Sequence, residues 1–233
     1  MPLDAVGHET GWLSKYAFQA KALANDSVGR EAMEDGYITP AKFNDLVIAP
    51  VKEHFRGVRA ALATYIRTGN TLAGATPVVF TIDAQPDVPR TITWAFVSHL
   101  QITAFTIVIV GVNAKGAAQT VTIATASGWT GETTVAFATI TSITLTARTG
   151  TGAGDTINVG IGSGLGLAMG IAATSDVFKV SKAPLASGIA TDYSGVANVT
   201  PAIAGDIVDV STGAAIVDGD DFTISYFTKA NEL

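Results

Sequence analysis

Few residues in this 233-residue chain have types and spacings that could support chemistry. The clearest candidates are Asp218, Asp220 and Asp221 in the stretch VDGDD, because carboxylates grouped in a loop can bind calcium. The stretch lacks the loop length and the closing glutamate of an EF-hand. A hairpin turn with Gly219 at its tip accounts for the same residues. A weak calcium site and a structural turn therefore remain as alternatives.

The remaining polar residues show no catalytic or metal-binding pattern. The three histidines, His8, His54 and His99, are not paired at metal-ligand spacing. The chain has no cysteine, which excludes disulfides, thiolate nucleophiles and thiolate zinc sites. The sequence thus predicts a protein that is not an enzyme, with no catalytic residues and no cofactor.

The glycine-rich run GIGSGLGLAMG, residues 160–170, invites comparison with a phosphate-binding loop. Its first four glycines alternate strictly, whereas the dinucleotide fingerprint requires G-x-G-x-x-G at the start of a helix. We expect instead a flexible strand exit, or a strand whose backbone packs tightly against a neighbour.

Trp129 is the candidate ligand contact. It lies in ASGWTGET, a predicted loop, where an indole would be exposed or would anchor a contact. A solvent-facing tryptophan there could stack on a sugar ring. Trp94, by contrast, falls in a predicted strand and is expected in the core.

Composition narrows the function classes. Charged residues make up 15% of the chain, against about 25% in a typical domain. Residues 71–233 hold 6 Lys/Arg and 12 Asp/Glu, and no basic cluster is present, which argues against nucleic-acid binding. Apolar runs such as IVIVGV are far shorter than the ~20 residues of a membrane span. The N-terminal stretch has neither a basic n-region nor an apolar h-region, so no signal peptide is expected.

Residues 1–70 are predicted to be a helical attachment or oligomerisation region. Thr39 and Pro40 form a helix start signal, and Pro50 opens a further helix that ends near Gly69. Apolar residues in that last helix follow spacings of 4, 3, 4 and 3, as in a short heptad seam. These residues are Val51, Phe55, Val58, Leu62 and Tyr65. They predict an oligomer or attachment interface, or alternatively a helix packed on its own β domain.

Beyond residue 70 the pattern changes to two-residue alternation, which predicts a mainly β protein. Residues 71–168 are expected to form an antiparallel β-sandwich, Ig-like or jelly-roll-like, and residues 169–233 a smaller C-terminal β unit. Within the sandwich, Asn-Ala-Lys-Gly at 113–116 predicts a hairpin loop with Gly116 in the left-handed conformation. The strand before it, 104–112, is apolar nearly throughout, so we expect it to be central and covered on both faces.

Several stretches resemble virion proteins of tailed bacteriophages. ALANDSVGREAMEDGYITPAKFNDLV, residues 22–47, is similar to linking segments of tail-fibre and spike proteins. IDAQPDVPRTITW, GVNAKGAAQTVTIA and AGDTINVGIGSGLGL resemble β domains of phage structural proteins, and GDDFTISYFT resembles their C-terminal ends. The resemblance covers most of the chain.

This resemblance implies a non-enzymatic, homotrimeric virion component made as a late protein in the host cytoplasm. It would be a capsid decoration, head fibre or tail-associated spike, and its partners would be itself and other capsid or tail proteins. Nucleic acid and membrane are not expected partners. The alternative is a β-sandwich module that binds a host-surface glycan, through Trp129 or the loop at 217–221.

Overall fold

The computed structural model describes residues 50–185, 187–193, 200–211 and 215–228. The predicted helices before residue 50 lie outside these residues. Fourteen strands are present in the described part: β1 (Pro50–Val58), β2 (Leu62–Thr71), β3 (Val78–Val79), β4 (Arg90–Ser98), β5 (Ile102–Val112), β6 (Ala118–Ala124), β7 (Thr130–Phe137), β8 (Thr139–Gly150), β9 (Thr156–Gly166), β10 (Val177–Ala183), β11 (Thr191–Asp192), β12 (Thr200–Ala202), β13 (Ile207–Asp209) and β14 (Asp220–Phe227). Three 3₁₀ turns, at Thr125–Ser127, Thr174–Asp176 and Ile203–Gly205, connect them.

The strands form three sheets, and every pairing is antiparallel. Sheet I has the order β3-β8-β5-β6. Sheet II has the order β12-β13-β9-β4-β7, with β2 also paired to β9. Sheet III has the order β1-β14-β10-β11. The mainly β, antiparallel class predicted from the alternation is therefore confirmed.

Strand β5 and the loop that follows it agree with the sequence prediction. β5 is flanked by β6 and β8, so its predicted central position is confirmed. The hairpin loop at 113–116 is present, with Gly116 at φ +78° and its amide donating to the Asn113 carbonyl at 3.0 Å. The Asn113 side-chain oxygen accepts from the amides of Lys115 and Ala117, each at 3.0 Å, which fixes the loop.

The helix predicted over 50–69 is wrong, because this segment forms β1 and β2. In β1 the apolar spacing of 4 and 3 coexists with a two-residue alternation. Lys52 and His54 are exposed, whereas Val51, Glu53 and Phe55 are more buried. Gly57, at φ +60°, further disfavours a helix at this point. Pairing with β14, far along the chain, supplies the backbone partners that decide between the two patterns.

The predicted seam of five residues is consequently dispersed. Phe55 and Val58 are 5% and 0% exposed inside the core, and Val51 packs against that same core. Leu62 is 48% exposed on β2, and Tyr65 packs against a different cluster. The five side chains do not form one surface in this chain.

Strand pairs also cross both predicted domain boundaries. β1 and β2, from the region predicted to be helical, pair with β14 and β9 respectively. β13, from the predicted C-terminal unit, pairs with the end of β9. Residues 49–233 form one compact unit by their contacts.

Two hydrophobic clusters lie against the shared sheet II. The first fills the space between sheets I and II with side chains from β2, β4, β5, β8 and β9, among them Ile92, Trp94 and Ile143. The second joins sheet III to the far end of β9, where Leu165 and Leu167 meet Phe222 and Ile224 of β14. The predicted burial of Trp94 is confirmed.

Arg90 is a fully buried cation at the first residue of β4, between the two clusters. It pairs with Phe137 of the first cluster on one side and Leu165 of the second on the other. Its guanidinium donates to the carbonyl oxygens of Arg59 and Gly162 and lies 3.5 Å from an Asp87 carboxylate oxygen. Burial lowers the pKa of Arg90, and the nearby carboxylate of Asp87 opposes that shift.

The alternating glycines of 160–166 lie within β9. At these positions neighbouring groups occupy the space that a side chain would need. A Cβ atom on Gly162 would lie 2.1 Å from Oε1 of Glu132, and one on Gly164 would lie 2.6 Å from Cγ2 of Thr91. The expectation of a backbone packed tightly against a neighbour is confirmed, and that of a flexible strand exit is not.

Replacing Arg90 by methionine should destabilise the fold strongly. The change leaves two carbonyl groups without their donor and Asp87 without its cation, which typically costs about 3–5 kcal/mol. Urea unfolding measures the difference. Arg67→Met is the matched control, because Arg67 pairs with a half-exposed Asp83 at 3.1 Å and should contribute less than about 1 kcal/mol. Equal losses in the two variants would contradict the role assigned to Arg90.

Candidate functional site

The outer face of sheet I is the candidate functional site. Alternation along β5 directs Phe105, Ile107 and Ile109 into the core, whereas Val108 and Val110 point to the other side and remain partly exposed. The expectation that 104–112 is covered on both faces is therefore met on one face only. Val79 at the edge of the same face is 66% exposed.

The strand register assembles this outer face from short hydroxyl and aliphatic side chains. Val108 lies between Thr122 of β6 and Thr144 of β8, and Val110 lies between Thr120 and Ser142. The rows across β8, β5 and β6 contain no charged residue. We call these six residues, together with Val79, Thr106 and the adjoining Ala124, the Thr/Val face: Val79, Thr106, Val108, Val110, Thr120, Thr122, Ala124, Ser142 and Thr144.

β6 forms one edge of sheet I. Among the described residues it is hydrogen-bonded to β5 alone, so its other side presents backbone donors and acceptors. Natural edge strands are usually protected by charged residues or proline. The sequence of β6, AQTVTIA, contains neither.

The hairpin between β5 and β6 is anchored to sheet II. Nζ of Lys115 lies 2.9 Å from Oδ2 of Asp206, and Oδ1 of Asp206 accepts from the Ile171 amide at 3.0 Å. Asp206 adopts a left-handed backbone conformation at φ 48°, which places its carboxylate between the two loops. This ion pair fixes the end of the Thr/Val face relative to sheet II.

The three aspartates at 218–221 bind separate partners. Asp218 accepts from the Ala60 amide at 2.8 Å, and Asp221 accepts from the Gly57 amide at 2.7 Å. Asp220 is buried and lies 2.9 Å from Nζ of Lys182. A turn with Gly219 at φ +90° is present, but it precedes β14 and joins no pair of neighbouring strands, so the predicted hairpin is wrong. No group of three or more His, Asp or Glu side chains within the described ranges is arranged to hold a metal ion.

Other acidic residues also support backbone structure. Asp155 accepts from the Leu100 and Gln101 amides, each at 2.8 Å, and from the Ser98 hydroxyl at 3.1 Å. Asp176 accepts from two successive amides, at 172 and 173. Both carboxylates thus stabilise turns that directly precede strands, Asp155 before β9 and Asp176 before β10.

Trp129 lies in the predicted loop but is partly buried. His99 stacks on its indole with the ring centroids 4.1 Å apart and the planes 7° from parallel. The ring of Phe96 meets the indole edge-on, with the centroids 5.0 Å apart, and the ring of Phe105 lies at 5.2 Å with its plane tilted by 44°. The indole thus anchors the β6–β7 connection to the first cluster. His99 covers one of the two ring faces on which a sugar could stack.

Glu53 is a partly buried carboxylate on the inner face of β1. Its Oε1 accepts from the Ala168 amide at 2.8 Å and from the Tyr226 hydroxyl. Burial raises the pKa of Glu53 above its ordinary value of 4.5, and these hydrogen bonds offset the shift only in part. The folded chain therefore holds this proton more tightly than the unfolded chain does.

A Glu53→Gln variant should change how stability depends on pH. Because the pKa of Glu53 is higher in the folded state, wild-type stability falls as pH rises through the interval just above 4.5. Relative to wild type, Glu53→Gln should gain stability as pH rises above about 4.5, as measured by urea unfolding. Asp83→Asn, at an exposed carboxylate, controls for a general loss of charge. Parallel profiles of wild type and Glu53→Gln would contradict this assignment.

Sequence inspection missed Arg90, Lys182 and Glu53 as buried ionisable residues. At these positions the alternation alone cannot distinguish a buried charge from an exposed one. The alternating threonines of β6 are a signal from which the composition of the Thr/Val face could be predicted, whereas the open edge depends on strand order.

No helix in the described residues is long and apolar enough to span a membrane. Comparison of the chain with protein-family models, with curated proteins and with solved structures gave no significant match.

Proposed function

We propose that this chain is a non-enzymatic structural component of a phage virion, which assembles with copies of itself and attaches to a capsid or tail. It would serve as a decoration, fibre or spike protein. The observation that carries the proposal is the Thr/Val face, an uncharged sheet surface that continues to an open strand edge.

The Thr/Val face has the chemistry of a surface that is covered after assembly. Charged residues are depleted at the centres of protein interfaces, because burying an unpaired charge is costly. Valine methyl groups contribute apolar area, and threonine or serine hydroxyls can pair with one another or with the backbone. A second copy of the chain offers the same short side chains and a second open β6 edge.

The acidic residues support a structural role as well. Asp155, Asp176 and Asp221 accept hydrogen bonds from backbone amides, and Asp220 pairs with Lys182. These carboxylates stabilise turns and strand ends. The packing of sheets I and II across one core favours a sandwich of the Ig-like or jelly-roll-like kind as the finer fold class.

The assignment to a virion, the trimeric state and the choice of capsid or tail partners derive from the sequence resemblance. Imaging of phage particles labelled through this chain would locate it on the head or the tail. Failure of the purified chain to bind either part of the particle would contradict the attachment role.

Charges placed on the Thr/Val face should prevent self-association. In Thr122→Arg, copies that meet through this face would bring like charges together, and we expect the dissociation constant to rise about 100-fold or more. Light scattering across a concentration series measures the change in mass. Thr134→Arg, at an exposed position on β7 of sheet II, is the matched control and should leave the mass unchanged.

Two results would overturn the role of this face. The first is a wild-type chain that has the mass of one copy at every concentration and also fails to assemble on phage particles. The second is an oligomer whose mass is the same in wild type and Thr122→Arg. Circular dichroism spectra of both variants check that the fold is retained.

A further inference from the structure

The outer face of sheet III carries a polar pocket that the proposed assembly role does not use. Its register places His54 of β1, Thr223 of β14 and Ser181 of β10 in one row across three strands. Because paired residues of neighbouring strands point to the same side, all three side chains face away from the second cluster. The pocket has a volume of about 200 Å³.

Arg56 supplies a cation to the wall of this pocket. It is exposed, and its side chain makes no hydrogen bond or ion pair with another residue in the described part of the chain. The adjoining row adds Lys52 and Lys179 on either side of Ser225. Lys179 lies 3.5 Å from an oxygen of Asp192. This concentration of cations is unusual in a chain whose net charge is −6.

The same pocket also contains a carboxylate. Oδ1 of Asp221 accepts from the Gly57 amide at 2.7 Å, which holds the side chain in place at the bulge of β1. Its other oxygen, Oδ2, makes no further hydrogen bond among the described residues. Nδ1 of His54 and the hydroxyl oxygen of Thr223 lie 3.0 Å apart, within hydrogen-bond distance. The Nε2 atom of His54 is left for another partner.

These groups suit a ligand that carries both an anion and hydroxyl donors. A site for a simple anion would gain nothing from a carboxylate in its wall, because like charges repel. A neutral sugar would gain little from an unpaired guanidinium. Arginine binds carboxylates in a two-pronged geometry, and an aspartate oxygen accepts from a ring hydroxyl. Ala183 and Ala190 add an apolar surface for the ring carbons.

We propose that this pocket binds an acidic saccharide unit, a sugar that bears a carboxylate, with Arg56 on the carboxylate and Asp221 on a ring hydroxyl. The hydroxyls of Ser181 and Thr223 and the imidazole of His54 would bind the remaining polar groups. The volume is below the range of about 300–1,000 Å³ for drug-sized ligands, which limits the occupant to one or two sugar rings.

Calorimetric titration with glucuronic acid and with N-acetylneuraminic acid tests the proposal, with glucose and sulfate as comparison ligands. The wild-type chain should bind at least one of the acidic sugars more tightly than it binds glucose or sulfate. Arg56→Gln should raise the dissociation constant for that sugar at least tenfold, because a charge-assisted hydrogen-bonded pair is lost. Arg67→Gln removes the same charge from sheet II and should leave the constant unchanged.

Asp221→Asn separates a saccharide site from a plain anion site. The asparagine oxygen can still accept from the Gly57 amide, so the bulge is retained. In this variant the affinity for the acidic sugar should fall and the affinity for sulfate should rise or stay level. Absence of binding to both acidic sugars, equal binding of Arg56→Gln, or a preference of the wild type for sulfate would overturn the proposal. The self-association assay is independent, because Thr122 lies on sheet I and Arg56 on sheet III.

Discussion

The buried guanidinium of Arg90 is the interaction on which the arrangement of the three sheets depends. Its position at the start of β4 lies between Phe137 of the first cluster and Leu165 of the second. It bonds to the carbonyls of Arg59, in the β1–β2 connection, and Gly162, in β9. A neutral side chain could not supply several donors in a fixed plane at this point. The charge is tolerated because Asp87 lies beside it.

β9 depends on the same region. Its outer edge is divided between β2 and β13, and its other edge pairs with β4, so it contacts three strands along eleven residues. Such crowding excludes side chains on one face, and the alternating glycines meet this requirement. The opposite face supplies Val159 and Ile161 to the first cluster and Leu165 to the second. One strand therefore links both cores, and Arg90 fixes its position relative to β4.

Local patterns in the sequence predicted much of the fold, and long-range pairing accounts for what they missed. β4 to β8 follow two-residue alternation and turn residues, both of which act over a few positions. Residues 50–58 satisfied a heptad spacing and a strand alternation at once, and the choice depended on β14, more than 160 residues away. Residues 62–71 form a strand through pairing with β9. Likewise, the composition of the Thr/Val face could be predicted, but the open edge of β6 and the row of His54, Thr223 and Ser181 follow from strand order. Single-sequence patterns carry no information on that order.

The two outer faces differ in a way that follows from their residues. Sheet I presents valine and threonine without charge. Burying such a surface against another flat, uncharged surface is favourable, in proportion to the apolar area that is removed from water. Sheet III presents Arg56, His54 and Asp221 around a pocket, and fixed charges gain most from a ligand whose groups match them in position. The first face suits repeated contact with copies of one chain, and the second suits selection of one small ligand. Because β9 and Arg90 hold the sheets in a single unit, a chain assembled through sheet I would display the pocket of sheet III once per copy. Repetition of weak sites on one particle raises the overall avidity well above the affinity of each site. Modest affinity at each pocket of about 200 Å³ would therefore give strong attachment of an assembled particle to a surface that carries many copies of the acidic sugar.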